Sequence, residues 1–191
     1  LGLKLKKTEI GEIPEHWEVV RLGEVSEMDY GIQASVAHLR NKKNSIPILT
    51  NKNITIDGQI NLAELNYYPE DKINKKYLLK KGDLIFNWRS GSEEHVGKTA
   101  LFNLNNNYTF SSFIIRIRTN KKINNVFLLY SLKFFRELGL LKSFSQQASI
   151  NQSLNAQITS KLRIPLPPLP EQQEIAEILQ TIDQKIEIER R

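Results

Sequence analysis

The string Gly91-Ser92-Glu93-Glu94-His95-Val96-Gly97-Lys98-Thr99 closes as a phosphate-binding loop does, with Gly-Lys-Thr a few residues after a short apolar strand pattern. In such a loop backbone N–H groups cradle the phosphates and the lysine reaches the outer ones, which fixes the spacing at G-x-x-x-x-G-K. That spacing requires glycine at 92, and Ser92 stands there. Glu93 and Glu94 would set carboxylates against the phosphates. Ala100-Leu101-Phe102 then runs into the polar turn 103–107, not into a helix whose N-terminus could hold an anion. A nucleotide hydrolase built on 91–99 is therefore opposed by its own spacing.

Metal and nucleophile chemistry have no better footing. His16, His38 and His95 lie far apart and share no i,i+4 spacing with acids, the arrangement that sets two ligands on one helix face. The chain has no cysteine, which removes thiolate zinc sites and cysteine nucleophiles and fits a reducing, cytoplasmic setting. Asp57 and Asp83 stand in turn signatures, and Glu70-Asp71 after Pro69 read as loop acids. No metal or organic cofactor is implied, and the chain reads as a binder.

Residues suited to binding are more numerous. Asn87, Trp88, Arg89 and Ser90 leave a strand together, carrying an amide, an aromatic, a guanidinium and a hydroxyl. Gln33, Ser35 and Arg40, then Asn51, Lys52 and Asn53, then Lys98, Gln147 and Asn151 extend the set. Arginine pairs bidentately with guanine and Asn or Gln with adenine in the major groove, while Lys, Ser and Thr satisfy phosphates. Amides in the loops of a cationic body are what base-edge reading requires, although Asn and Gln also populate loops that bind nothing.

The charge is divided in the same sense. The 191 residues carry net +6. Residues 171–191 hold six acids against three bases, net −3, which leaves +9 on the remainder. A basic body with an acidic tail points to a polyanionic partner for the body. No stretch approaches the ~20 apolar residues of a membrane span.

These side chains need a scaffold, and the pattern supplies one of short strands. Residues 8–25 form a lead-in with Trp17 as a packing residue. Ile46–Thr50, with Pro47 inside it, predicts an edge strand. Asp57-Gly58 and Lys81-Gly82-Asp83 predict turns, the latter into Leu84-Ile85-Phe86. Residues 98–102 and 109–118 follow as strands, the second alternating Ile115 and Ile117 against Arg116 and Arg118 as a half-buried strand with one basic face. Between 124 and 142 apolar residues recur at three and four, predicting an amphipathic helix. Strands followed by helices give an α+β class, β-rich, with mixed α/β elements.

Four of the seven prolines crowd into Pro165-Leu166-Pro167-Pro168-Leu169-Pro170, and a helical pattern runs from Glu171 to Arg191. Proline rigidity predicts an extended strap at 161–170 that carries the helix away from the body. Ile175, Leu179, Ile182 and Ile186 step by four, three and four, the seam of a coiled coil. Such a narrow seam on an isolated helix is marginal, so a partner is expected; docking on the chain's own domain is the other outcome.

Four segments together resemble the specificity (S) subunit of type I restriction-modification enzymes: IGEIPEHWEVVRLGEV (10–25), YLLKKGDLIFNWRSGSEEHVGKTALF (77–102), FSSFIIRIR (110–118) and INQSLNAQITSKLRIPLPPLPEQQEIAEIL (150–179). The resemblance implies one target-recognition domain reading half of a bipartite double-stranded DNA site, followed by one spacer helix that pairs antiparallel with its counterpart. It also implies methyltransferase (M) and restriction/translocase (R) subunits as partners, which carry the chemistry. Family members usually hold two recognition domains and two spacer helices; this sequence holds one of each, as a half-subunit or as a fragment would. Phe86-Asn87-Trp88-Arg89-Ser90-Gly91 also departs from the family's common strand-end text.

The expectation is thus a recognition domain over 1–160, a strap over 161–170 and a dimerisation helix over 171–191 that builds a homodimer, with no membrane partner. A protein-interaction adaptor for a methyltransferase, with little DNA affinity of its own, is the alternative.

Overall fold

Apolar runs of three to six residues, separated by glycine turns, are too short to stand alone and must share one core. In a computed structural model of the chain, residues 4–33, 43–148 and 153–189 are described. The order opens with β1 (Leu5–Thr8), β2 (Gly11–Pro14), β3 (Glu18–Arg21), the single turn α1 (Leu22–Val25) and β4 (Ser26–Tyr30). It continues with β5 (Ser45–Leu49), β6 (Asn66–Pro69), β7 (Leu84–Asn87), β8 (Thr99–Leu101), β9 (Thr109–Phe110) and β10 (Ile114–Thr119). Then come α2 (Asn125–Glu137), α3 (Leu140–Ala148), α4 (Ala156–Thr159), β11 (Arg163–Leu166) and α5 (Leu169–Glu189). Strands first and helices after give the expected mixed, β-rich body and long C-terminal helix. Among the described residues no helix is long and apolar enough to cross a membrane.

The centre is a four-stranded antiparallel sheet in the order β4-β10-β7-β8. Period-2 alternation divides its side chains between two cores. Leu84, Phe86, Ile115 and Ile117 face α1, α2 and α4, where Leu22, Leu128, Leu132 and Ile158 pack. Ile85, Ala100 and Ile114 face the second sheet, β6-β5-β9, with Leu49, Phe102 and Phe110. Burying each large apolar side chain contributes about 1.5–3 kcal/mol, so this doubly covered sheet is the structural foundation.

That double cover corrects two expectations. β10 is a central strand buried on both faces, so its arginines form no basic surface: Arg116 is 4% exposed and pairs with Asp29 on β4, and its Nη1 donates to the Lys76 carbonyl at 2.7 Å. Arg118 donates from Nε and Nη2 to the two carboxyl oxygens of buried Asp83, 2.7 Å each. The segment 109–118 also breaks, with a turn at 111–113 between β9 and β10. β5 is not an edge strand. It pairs antiparallel with β6 and parallel with β9, but the parallel ladder starts only at Ile48, which leaves one flank of Pro47 unpaired.

The helix expected over 124–142 is two. Asn124 caps α2, its Oδ1 accepting from the N–H groups of Val126 and Phe127. Gly139, at φ +71°, ends that run and α3 begins at Leu140. The proline segment differs more. Residues 163–166 form β11, antiparallel to β3, with Pro165 opposite Val19. The helix starts at Leu169, so Pro170 falls in a first turn whose N–H groups lack intrahelical acceptors. The strap is therefore held on the lead-in, and it does not carry the helix clear of the body.

Candidate nucleic-acid interface

In an antiparallel sheet the ends of alternate strands meet. The C-terminal ends of β4 and β7 and the N-terminal ends of β10 and β8 share one rim of the central sheet. Gln33 follows β4, Trp88, Arg89 and Ser90 follow β7, and Lys98 precedes β8, so residues distant in sequence converge there. Asn51 and Lys52 join them in a 3-10 turn after β5, because Lys98 Nζ donates to the carbonyls of Asn51 (3.2 Å) and Ile54 (2.5 Å).

Exposure then separates side chains open to a partner from those that support the rim. Gln33, Lys52 and Arg89 are exposed, and Asn51 and Ser90 are half-buried. Trp88 is half-buried, its indole N–H donates to the Ser112 carbonyl at 2.7 Å, and its ring meets Tyr30 edge-on at 5.4 Å. Leu154 N–H donates to the Trp88 carbonyl (3.1 Å), and Ala156 N–H to the Tyr30 hydroxyl (2.8 Å). The rim is thus tied to the segment that leads into α4.

Three expected binding residues are consumed inside the fold. Asn53, 4% exposed, accepts on Oδ1 from the Thr50 N–H and hydroxyl and donates from Nδ2 to the carbonyls of Asn61 and Glu64, which saturates its amide. Asn87 is fully buried and donates from Nδ2 to the His95 carbonyl at 2.7 Å. Lys98 is 6% exposed; burial, and secondarily the Arg136 guanidinium, lower its pKa. The donors of all three side chains already have partners and would lose them in meeting a base or a phosphate; Asn87 Oδ1 has no hydrogen-bond partner among the described residues, and it is burial that closes it off. Ser35, Arg40 and Asn151 lie outside the described residues. Gln147 stands in the last turn of α3.

The same bonds dispose of the phosphate-loop reading of 91–99. Gly97 N–H donates to the Asn87 carbonyl and Asn87 N–H to that of Lys98, each at 2.8 Å, closing the segment on the end of β7. It continues into strand β8, and the lysine that would meet phosphates points at Asn51 and Ile54.

One exposed residue at the rim has no counterpart among the sequence expectations. Phe113, 47% exposed, sits in the turn between β9 and β10. It was hidden inside an apolar run that reads as one strand.

The C-terminal helix has two distinct faces. Toward the body, Gln172 is fully buried: its Oε1 accepts from Asn124 N–H (2.7 Å) and its Nε2 donates to the carbonyls of Pro167 (2.8 Å) and Lys122 (3.2 Å). Glu171 accepts from Trp17 Nε1 at 2.8 Å and lies 2.7 Å from His16 Nε2; these two bonds, Trp17's first, hold its carboxyl below the usual range. Tyr130 donates to Asp183 at 2.8 Å, and burial, then that carboxylate, push its phenol well above the usual value. Ile175 packs on the core and Leu179 is half-buried, so the upper half of the expected seam is already used. Ile182 and Ile186 remain exposed, as do Ile178 and Ile188.

Residues 14–191 match the family described as type I restriction modification DNA specificity domain. A protein of Methanocaldococcus jannaschii assigned to the MjaX restriction enzyme as its specificity subunit is 37% identical over 186 residues, covering 95% of this chain and 43% of that protein. The EcoKI specificity subunit of Escherichia coli is 28% identical over 90% of this chain and 37% of its own length. The HsdS subunit from Thermoanaerobacter tengcongensis superposes with a TM-score of 0.68 at 21% identity, over 96% of this chain and 41% of that one. The chain therefore spans about two fifths of the relatives it matches.

Proposed function

The chain belongs to the type I restriction-modification DNA specificity family, and from that premise we propose that it reads one half of a bipartite double-stranded DNA site. The observation that carries this reading is the convergence on one sheet rim of exposed Gln33 and Arg89, which follow β4 and β7, with exposed Lys52, whose turn the buried Lys98 holds there. Arg89 and Gln33 supply the donor and acceptor patterns that read base edges, and Lys52 supplies a phosphate contact. The outer face of α5, with Ile178, Ile182 and Ile186, pairs antiparallel with the same helix of a second copy, or with a second spacer helix where the chain continues. Two identical domains related by a two-fold axis then face an inverted-repeat site, with α5 setting the distance between its halves. Methyltransferase and restriction subunits assemble around this frame and carry the catalysis, and the recognition subunit supplies none.

A second reading has one observation in its favour. Lys98, Arg116 and Arg118 are occupied inside the body, so the basic surface is poorer than the sequence charge indicates. In that reading the body is an adaptor for a methyltransferase and has little affinity for DNA. Titration of the chain against duplex DNA at several salt concentrations separates the two. A DNA reader shows an affinity that falls steeply with salt, log K against log[salt] sloping by about −0.9 per phosphate contact. A flat and weak response supports the adaptor and overturns the DNA reading.

A further inference from the structure

We propose that Phe113 is a specificity-determining residue that contacts the C5-methyl group of a thymine in the major groove, an inference that rests on the DNA reading above.

Single exposed apolar side chains are ordinary on protein surfaces, so exposure alone says little. What distinguishes Phe113 is the rigidity of its mount. The turn 111–113 is bolted to three other segments: Ser111 N–H donates to the Leu49 carbonyl (2.9 Å), Ser112 N–H to that of Ile32 (3.0 Å), and Trp88 Nε1 to the Ser112 carbonyl (2.7 Å). Within the turn, Ile114 N–H donates to the Ser111 carbonyl at 2.9 Å, and alongside it Ile32 N–H donates to that of Phe110 at 2.8 Å. Gly31 passes so close that a Cβ there would lie 2.1 Å from the Phe110 carbonyl oxygen and 2.4 Å from that of Ser111. A phenyl ring on such a turn cannot be drawn into either core by a small backbone adjustment, and it stays 47% exposed.

Its neighbours decide the occupant. Trp88, whose indole holds the Phe113 turn, leads directly into exposed Arg89, and Ile32, whose carbonyl holds the same turn, leads into exposed Gln33. An apolar group on a turn bonded to the residues that precede a guanidinium and an amide suits a surface that is polar and anionic yet has one apolar point. The major-groove edge of DNA is such a surface, and among the bases only thymine presents a methyl group there. The ring has no donor or acceptor, and that methyl is the apolar feature of a base edge that it can meet.

The test uses the full chain and a randomised duplex library, followed by the selected duplex with each thymine replaced in turn by deoxyuridine, which removes the methyl and keeps every hydrogen bond. Wild type is expected to enrich a motif containing a thymine whose replacement by deoxyuridine weakens binding by about tenfold, the scale of one altered base pair. Phe113→Ala is expected to lose the preference at that position and to bind the two duplexes equally. Circular dichroism melting of Phe113→Ala should match wild type, since the ring joins no core. Enrichment of the same motif with the same deoxyuridine response by Phe113→Ala overturns the proposal and leaves the DNA reading intact. A uniform loss of affinity with no deoxyuridine response in wild type also overturns it, since that is the signature of a wedge or of a backbone contact. If wild type enriches no motif, the DNA reading itself falls.

Discussion

The ammonium of Lys98 lies 2.5 Å from the Ile54 carbonyl oxygen and 3.2 Å from that of Asn51, a buried cation that clamps a single turn more than forty residues upstream. This contact places the Asn51–Asn53 turn beside the rim formed by β4, β10, β7 and β8, and it removes Lys98 from any phosphate. Lys98→Met keeps the apolar stem and leaves the two carbonyls without this donor, at a cost of about 1–3 kcal/mol. The urea midpoint should therefore fall. If Lys98 were a phosphate contact, the same variant would also flatten the salt dependence of DNA binding by about one phosphate's share. The expected result is lower stability with an unchanged salt slope, read by anisotropy below the onset of unfolding.

Gly31 is required by space. Its absent side chain leaves room for the Phe110 and Ser111 carbonyls, and a Cβ at 2.1 and 2.4 Å from their oxygens forces the β4 end away from the turn 111–113. Gly31→Ala should destabilise by about 1–3 kcal/mol, the range for overpacking, seen as a lower thermal midpoint. Because the same turn carries Phe113, DNA affinity at temperatures where the variant is folded should fall as well. Gly91, where a Cβ would meet nothing, is the matched control, and Gly91→Ala should leave both measurements unchanged.

Glu171 connects α5 to the lead-in through Trp17 and His16. Its carboxyl titrates below the ordinary glutamate value of 4.5, held down first by the Trp17 bond and then by His16. A depressed folded-state value means a contribution to stability that is present above 4.5 and is lost as pH falls through the folded value. Glu171→Gln removes the charge while keeping a carbonyl for the indole N–H. Urea midpoints measured down a pH series into the acid range should fall less steeply for Glu171→Gln than for wild type. Parallel curves would show that the contact adds no pH-dependent stability.

The parts of this molecule that local chemistry dictates were legible in the residues. Gly58 and Gly82 take φ +84° and +91° in the turns their sequence context predicts, and the apolar spacing of α2 follows its buried face. What failed was what depends on distant partners. Arg116 reads as a surface cation until Asp29, 87 positions away, is placed beside it. Asn53, Asn87 and Lys98 have the composition of base and phosphate readers, but the fold buries all three and sets their donors on backbone carbonyls. The proline segment reads as an isolated strap because nothing in it announces that β3 will pair with residues 163–166. Phe113 was missed for the opposite reason: an apolar run conceals the turn that turns its ring outward.

The outer face of α5 gives the remaining prediction. Ile178, Ile182 and Ile186 recur at four-residue steps and are 60%, 47% and 41% exposed, while Gln172 and Ala176 on the other face are buried against the body. The two faces are independent, so a charge on the outer one should leave the fold untouched and abolish pairing. Ile182→Asp should keep the wild-type urea midpoint measured at low concentration. By light scattering at tens of micromolar, wild type should be dimeric and Ile182→Asp monomeric. In two antiparallel copies each α5 lends the same face, so one substitution introduces two carboxylates into a single apolar seam, and dissociation should be complete rather than graded. Two monomers, wild type and variant alike, would remove the homodimer and leave α5 to pair with a second spacer helix of a longer chain.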